Sequence, residues 1–431
     1  MYAGRYFIAS LMFFVLGTTS MFAQSFPGFD DLPSQKDPPD PLKMFSGVAV
    51  KTPAEWFSKR RPELKALVQH YMYGAPPVAT EKVTAEVART DDQAFGGKGV
   101  VREVTLTFGP GQKGRINLLL ITPAKPKGKS PVFVGLNFNG NHTVLADPKI
   151  ALPTVWLREN PKTVKDNRAT EAGRGTEVDG WSAEMLVDRG YALTTAYYGD
   201  IDPDKPDFSD GVHALYYREG QARPDPNQWG SVAAWAWGMS RMIDYLVTLD
   251  ELDSRRIAAI GHSRLGKTAL LAGALDDRIA IVCPHQSGTG GAALSRDNNQ
   301  ETVERINKVF PHWFCQNFHA FGAHEDKIPF DQHCVMALCA PRPILDTEGD
   351  QDKWANYDNS LRSLQLVHPV YKFLGKRGLQ AGKPITQDEP FTDANFGELV
   401  QYRRDAKHAL TPDYWKRILD FADRWYAAQS Q

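Results

Sequence analysis

The sequence predicts a three-layer α/β fold, an αβα sandwich with a mainly parallel sheet. Three observations point there. Short apolar runs of strand length alternate with helical patterns along most of the chain. One such run, residues 257–260, passes through a glycine-flanked turn straight into a helical pattern with Leu265, Ala269 and Ala272 on one face. The chain has 431 residues, 42% of them hydrophobic, enough to bury one large core.

Taken in order, residues 26–42 are rich in Pro and Asp and predict an extended lead-in. Thr52 as N-cap and Pro53 in the first turn start a helix over 53–73. Residues 100–108 and 115–121 read as antiparallel neighbours joined through Gly109-Pro110-Gly111. Residues 132–136 form a buried strand that runs into the polar loop 137–142. Residues 150–180 are long and irregular and are expected over the rim of a site. A helix over 181–188 and a strand over 191–197 follow. An apolar helix over 231–249 carries Trp235, Trp237, Met239, Met242, Ile243 and Leu246. Beyond the glycine-flanked turn come strands at 279–283, 343–346 and 400–402, and helices over 331–340, 356–374 and from Thr411-Pro412 to about Ala428. The stretch at about 288–330 is expected to be an inserted lid.

Lys and Arg number 50 against 51 Asp and Glu, with no block of one sign, so a nucleic-acid partner is not expected. Residues 1–23 read as a signal peptide: Arg5, an apolar run over 7–16, then small residues up to Ala23. That leaves 24–431 as a single catalytic domain, secreted or periplasmic, monomeric and off the membrane. Cys283, Cys315, Cys334 and Cys339 all fall in the second half. Export permits a disulfide, while Cys334 and Cys339 sit in an apolar helical pattern that suits buried free thiols. Their spacing is not that of a zinc site, and no metal or cofactor is expected.

The glycine-flanked turn is Gly261-x-Ser263-x-x-Gly266. Strand, sharp turn with Ser at its tip, then helix is the nucleophile elbow of the α/β-hydrolase fold, although its second Gly normally stands one residue earlier. A Ser that only caps the helix is the competing reading. A hydrolase would then need an acid and a His, in that chain order, each on a loop at a strand's C-terminal end. His408 follows the last strand and precedes the last helix, whereas His285, His312, His319, His324, His333 and His368 fall in the lid or on helices. His262 is expected to leave the elbow in another direction. Asp352, in Gly349-Asp350-Gln351-Asp352 after the 343–346 strand, is the preferred acid, with Asp350 and Glu348 as alternatives.

With these positions marked, the chain resembles the glucuronoyl esterases, carbohydrate esterase family 15, over most of its length. Gly261-His262-Ser263-Arg264-Leu265-Gly266-Lys267 matches that family's G-x-S-R-x-G-K. Residues 286–296, 301–307 with Phe310-Pro311-His312-Trp313, and 407–412 carry the rest. The resemblance implies an esterase free of metal and cofactor. Its substrate would be the ester between the glucuronate (often 4-O-methylated) of glucuronoxylan and lignin alcohols. Ser263 would be the nucleophile, His408 the base, and Arg264 part of the oxyanion hole. Lys267 and Glu301 would bind sugar hydroxyls, and Trp354 would hold the sugar edge. Arg264 and Lys267 stand in a first helical turn, where cations oppose the helix dipole, which itself hints at a task.

The family often carries its acid as Glu in an E-S-G segment; Gln286-Ser287-Gly288 stands there, so Gln286 marks a possible vestigial acid position. Some bacterial-type members carry an acid at the later strand end instead, which Asp352 in Asp352-Lys353-Trp354-Ala355 matches. The Cys pair that flanks the nucleophile and His in fungal-type members is replaced by His262 and Ala409, which also favours the bacterial type. An acetyl-xylan or other carboxylesterase, and a decayed carbohydrate-binding homologue, are the rival readings.

Overall fold

The computed structural model describes residues 26–429, so the expected signal peptide lies outside the described residues. Strands β1 (Thr84–Gln93), β2 (Gly99–Phe108), β3 (Gly114–Pro123), β4 (Ser130–Asn137), β5 (Ala192–Tyr197), β6 (Leu252–His262), β7 (Ile279–His285), β8 (Ile344–Gly349), β9 (Ile385–Thr386) and β10 (Leu399–Arg404) form one sheet. Their spatial order is β1-β2-β3-β5-β4-β6-β7-β8-β10-β9. Pairings up to β3–β5 are antiparallel. All later pairings are parallel. This is the α/β-hydrolase architecture that the sequence predicts.

Helices cover both faces, as a parallel sheet requires. α1 (Arg61–Val68), α3 (Ser231–Leu246), α4 (Arg264–Leu275), α6 (Gln332–Cys339) and α7 (Tyr357–Phe373) pack on one side; α2 (Ala183–Asp188) and α8 (Pro412–Gln429) pack on the other. α5 (Val303–Val309) lies in the inserted stretch before α6. The two-residue period of a strand divides the central residues between these cores. Val132, Val134, Ile257 and Ala259 face the first, and Phe133, Ala258 and Ile260 face the second. Both faces are therefore apolar, which is why residues 132–136 of β4 and 257–260 of β6 read as hydrophobic runs.

Two departures have local causes. β1 gives no apolar alternation because it is an edge strand, exposed along nearly its whole length and paired only with β2. The helix expected over 181–188 is broken at Ser182, whose φ of 46° separates the turn Val178–Trp181 from α2. All four cysteines are free and buried. Among the described residues, no helix is long and apolar enough to cross a membrane. Because β4 to β8 and β10 are parallel, the loops that follow them emerge at one end of the sheet, and the site collects there.

Candidate active site

β6 ends at His262, and α4 begins at Arg264. Between them Ser263 has φ 59° and ψ −126°, a conformation normally left to Gly, at a cost of about 1–3 kcal/mol. Its N–H donates to the His285 carbonyl at 2.9 Å, and its carbonyl accepts from Gly266 N at 2.8 Å and Lys267 N at 3.1 Å. The turn closes so tightly that a Cβ on Gly261 would lie 1.9 Å from the Leu265 carbonyl oxygen. A Cβ on Gly266 would lie 2.9 Å from both the Gly261 carbonyl oxygen and Ser287 Cβ. The late second glycine is thus where the new helix rests on the strand end and on the β7 loop. The hydroxyl of Ser263 makes no hydrogen bond among the described residues, and the N–H groups of Arg264 and Leu265 that open α4 find no backbone acceptor among them. The serine is a half-buried turn residue rather than a helix cap.

His408 stands on the loop after β10, and Asp352 lies three residues beyond β8. His408 Nδ1 is 2.5 Å from Asp352 Oδ2. The Asp352 side chain is 4% exposed and that of His408 40%, so a buried carboxylate grips an imidazole open to solvent. With Nδ1 engaged, Nε2 is left for a proton transfer. Among the described residues, Asp352 is the carboxylate that hydrogen-bonds His408, and neither Asp350 nor Glu348 does. Glu348 is fully buried beneath the loop, and burial and the neighbouring Asp346 push its pKa well above the usual carboxylate range.

His262 does not turn away from the base. Its ring packs against His408 at 4.3 Å and against His285 at 5.0 Å. His285 is bonded at both nitrogens, to Thr347 and to the Ala409 carbonyl. Burial lowers its pKa to about 4. Burial, then the neighbouring histidines and Arg264, keep His262 well below its ordinary value, so both imidazoles are neutral. Gln286 does not reach the imidazole. Its Oε1 accepts from Ala409 N at 2.9 Å and its Nε2 donates to the Lys407 carbonyl at 3.0 Å, so it clamps the backbone on either side of His408.

Arg264 is held by Asp204, in the loop after β5. Arg264 Nη1 donates to Asp204 Oδ2 at 2.6 Å. Tyr198 Oη (2.9 Å) and Arg158 Nη2 (3.1 Å) reach the same oxygen; His312 Nε2 and Trp313 Nε1 reach Oδ1, both at 2.8 Å. Burial alone would raise the Asp204 carboxyl, but the His312 hydrogen bond and the Arg264 charge outweigh it and hold the group ionised. The Arg264 guanidinium lies over Trp313 at 5.0 Å and over Phe138 and Phe310 at 5.5 Å. Phe310 and Trp313 stack in parallel at 3.7 Å. A cation caged in this way has little freedom, and its Nε is buried without a partner.

Lys267 is not free to donate to a sugar. Its Nζ gives hydrogen bonds to the Ser287 carbonyl (2.7 Å), the Thr289 carbonyl (2.6 Å) and Glu301 Oε2 (2.9 Å), which engages all three N–H groups. The same Glu301 oxygen accepts from Thr289 N at 2.9 Å, leaving Oε1 without a hydrogen bond among the described residues. A Cβ at Gly288 would lie 2.4 Å from Oε2, so the glycine lets the carboxylate approach. Trp354 is half-buried, with the Arg305 guanidinium over its ring at 4.2 Å. The two parts are linked, since Asn356 Nδ2 bonds Asn298 Oδ1, and Asn298 Nδ2 bonds Thr289 Oγ1.

Asp204, Tyr198 and Phe138 were not among the residues expected here. Each follows a strand at its C-terminal end, which was the available signal. Within the polar loop 137–142, Asn137 bonds Gly140 N, Asn141 and Thr195, while both ring nitrogens of His142 are buried without a hydrogen-bond partner among the described residues. The loop brings an aromatic ring to the site rather than amide donors.

A family model described as "Glucuronyl esterase, fungi" matches residues 211–375. A carbohydrate esterase from an unknown prokaryotic organism is 42% identical over 387 residues, covering 89% of this chain and 88% of that protein. A 4-O-methyl-glucuronoyl methylesterase of Schizophyllum commune is 27% identical over 349 residues, covering 78% of this chain and 73% of its own. Among solved structures, a promiscuous CE15 esterase from a marine bacterial metagenome superposes with a TM-score of 0.82 at 41% identity, over 92% of this chain and 98% of its own. A glucuronoyl esterase from Solibacter usitatus gives 0.82 at 36% identity, over 91% of this chain and 99% of its own.

Proposed function

The chain belongs to carbohydrate esterase family 15, and we propose that it hydrolyses esters of glucuronic acid, such as those linking 4-O-methyl-glucuronate of xylan to an alcohol, through an acyl-enzyme on Ser263. The observation that carries this reading is the strained Ser263 elbow, with His408 paired to the buried Asp352 and Arg264 pinned beside the turn.

In this mechanism His408 Nε2 takes the Ser263 proton as Oγ adds to the uronate carbonyl carbon. The negative charge that develops on the carbonyl oxygen lies by the Arg264 guanidinium and the free N–H groups at the start of α4. His408, now cationic and steadied by Asp352, gives its proton to the departing alcohol oxygen as the C–O bond breaks. Water then gives a proton to the same Nε2 and adds to the acyl carbon. Collapse releases glucuronate and restores the serine hydroxyl. Glu301 takes a sugar hydroxyl through its open Oε1, and Lys267 acts behind it by fixing the carboxylate. Trp354 offers a ring edge to the sugar. The expected signal peptide supports action outside the cytoplasm.

The test compares hydrolysis of benzyl glucuronate with that of an acetylated sugar, and of the galacturonate epimer, by the native chain and by Ser263→Ala. Faster cleavage of the acetyl ester, or activity that survives Ser263→Ala, would overturn the proposal.

A further inference from the structure

The sheet has a second end. At the N-terminal edges of its parallel strands, opposite Ser263, lie two hollows of about 800 and about 630 Å³. They share Arg256 and Tyr426 as walls, which makes them one groove. The loop before β4 walls one half; the starts of β6 and β7, the turn before β8 and the end of α8 wall the other. The eight residues of β4, at about 3.3 Å each, put roughly 25 Å between this groove and the catalytic end.

The groove carries a surplus of positive charge. Among the described residues three carboxylates line it, and each already has a cation: Asp188 pairs with Lys98, Asp277 with Arg61 and Asp423 with Arg189. Arg278 and Arg342 are engaged in structure, the first by Asp244 and Asp276, the second by the carbonyls of Gly273, Asp276 and Ile279. Lys125, Lys127 and Lys376 are different. All three are exposed, and their side chains make no hydrogen bond or ion pair among the described residues. Lys129 meets an exposed Asp250 at 3.8 Å, and the Arg255 side chain, 88% exposed, meets Asp253 at 3.5 Å. The whole chain has a net charge of −1, so the surplus belongs to this face and not to a generally basic protein. The groove also holds an aromatic platform. Trp425 packs on the second core yet stays half-buried, and its Nε1 makes no hydrogen bond among the described residues. Beside it the Arg256 guanidinium lies over the Tyr426 ring at 5.4 Å. An indole with an apolar face and an open N–H suits the face and hydroxyls of a sugar ring. Nucleic acid would bring a phosphate at every nucleotide, against Asp188, Asp277 and Asp423 as well as the lysines. A polysaccharide with carboxylates set along a neutral chain matches scattered lysines better. A second copy is disfavoured, because a two-fold contact would set the surplus against itself.

We propose that this groove is a second carbohydrate site, which holds a polysaccharide bearing uronate carboxylates, with a sugar ring on Trp425 and the carboxylates against Lys125, Lys127 and Lys376. The choice of a uronate polymer rests on the esterase reading above; the site itself needs neither Ser263 nor His408. A chain held there keeps the enzyme on the polymer while the catalytic end meets one ester after another.

The experiment measures the Kd of the native chain, by affinity electrophoresis, for alkali-extracted glucuronoxylan, whose uronates are free acids, and for the same polymer with its carboxyls reduced to alcohols. The acidic polymer should bind about tenfold tighter or more, and added salt should weaken it. The triple variant Lys125→Gln, Lys127→Gln, Lys376→Gln changes exposed side chains alone and should fold as the native chain does. Its Kd for the acidic polymer should rise about tenfold, since each exposed ion pair is worth a factor of about two to three. Its kcat/KM on methyl glucuronate should not change, which separates the groove from the catalytic end. An unchanged Kd in the triple variant, or equal binding of the reduced polymer, rejects the site. Trp425→Leu should weaken the acidic polymer while its salt dependence persists. Single-stranded DNA bound as tightly as glucuronoxylan would make the groove a general polyanion surface and overturn the carbohydrate assignment. If the native chain cleaves no glucuronate ester yet holds the polymer through the three lysines, the esterase reading fails and the groove stands.

Discussion

Replacing Asp352 by Asn keeps the side chain's shape and removes its charge at the step where charge matters. In the proposed mechanism His408 becomes a cation in the transition state, and the 2.5 Å contact sets the two charge centres about 4 Å apart. At an effective dielectric constant of about 20, that attraction is about 4 kcal/mol. The His408 side chain is 40% exposed, so solvent screening brings it nearer 3 kcal/mol, to be taken as an order of magnitude. At about 1.4 kcal/mol per tenfold, kcat/KM should fall by roughly a hundredfold to a thousandfold. Gln286→Ala removes two hydrogen bonds to the His408 loop, worth about 1 kcal/mol each, on backbone that can find water, so the loss should be about tenfold to thirtyfold. The assay is steady-state hydrolysis of methyl glucuronate near neutral pH, with circular dichroism and thermal melts to check that both variants fold. Serine labelling by a phosphonate gives a second readout. Losses of similar size in the two variants, or a larger one at Gln286, would refute the reasoning and return the acid to the β7 loop.

Other outcomes follow from the same geometry. Asp204→Asn should lower kcat about tenfold to a hundredfold with little change in KM, because it frees Arg264 without touching the sugar side; a change confined to KM would argue against this. Lys267→Met should cost about 3–5 kcal/mol of stability by leaving Glu301 buried and unpaired. Adding Glu301→Gln should recover part of that, and a double-mutant cycle in urea with no coupling would exclude the pairing. Ser263→Gly should be more stable than Ser263→Ala by about 1–2 kcal/mol, both being inactive, since Gly accepts the φ of 59° and Ala does not. His285 has a folded pKa lowered from 6.5 to about 4. Its contribution is therefore fully present above pH 6.5 and lost as pH falls through 4. Its size is roughly 3 kcal/mol. Urea unfolding of the native chain and of His285→Gln, at neutral pH and near pH 4, should show a shallower pH slope in the variant.

The parallel sheet was legible because its strands are apolar on both faces and separated by helical patterns. The elbow was legible because close backbone approach at Gly261 and Gly266 admits little else. His408 and Asp352 could be found by position, since chain order fixes which loops reach the elbow. β1 could not be read, because an exposed edge strand needs no apolar face. Asp204 stayed hidden for a related reason. A lone Asp in a polar loop looks solvated, and only the fold reveals five donors around it. Lys267 was given a sugar through the family resemblance, and sequence does not tell where a lysine's three hydrogens go. Gln286 looked like the loss of an acid, but the amide fits a task that a carboxylate does not, since it must both donate and accept along one loop.

The Asp204 carboxylate ties together Arg158, Tyr198, Arg264, His312 and Trp313, which span more than 150 positions of the chain. Such contacts close large loops and form late in folding. The proposed oxyanion site is thus finished only when the rim, the β5 loop, the elbow helix and the inserted stretch have all docked. Release of any one of them would disarm the enzyme while the sheet stays intact. Activity should accordingly disappear at lower urea than the circular-dichroism signal, and the gap between the two midpoints measures how loosely the catalytic end is fastened to its scaffold.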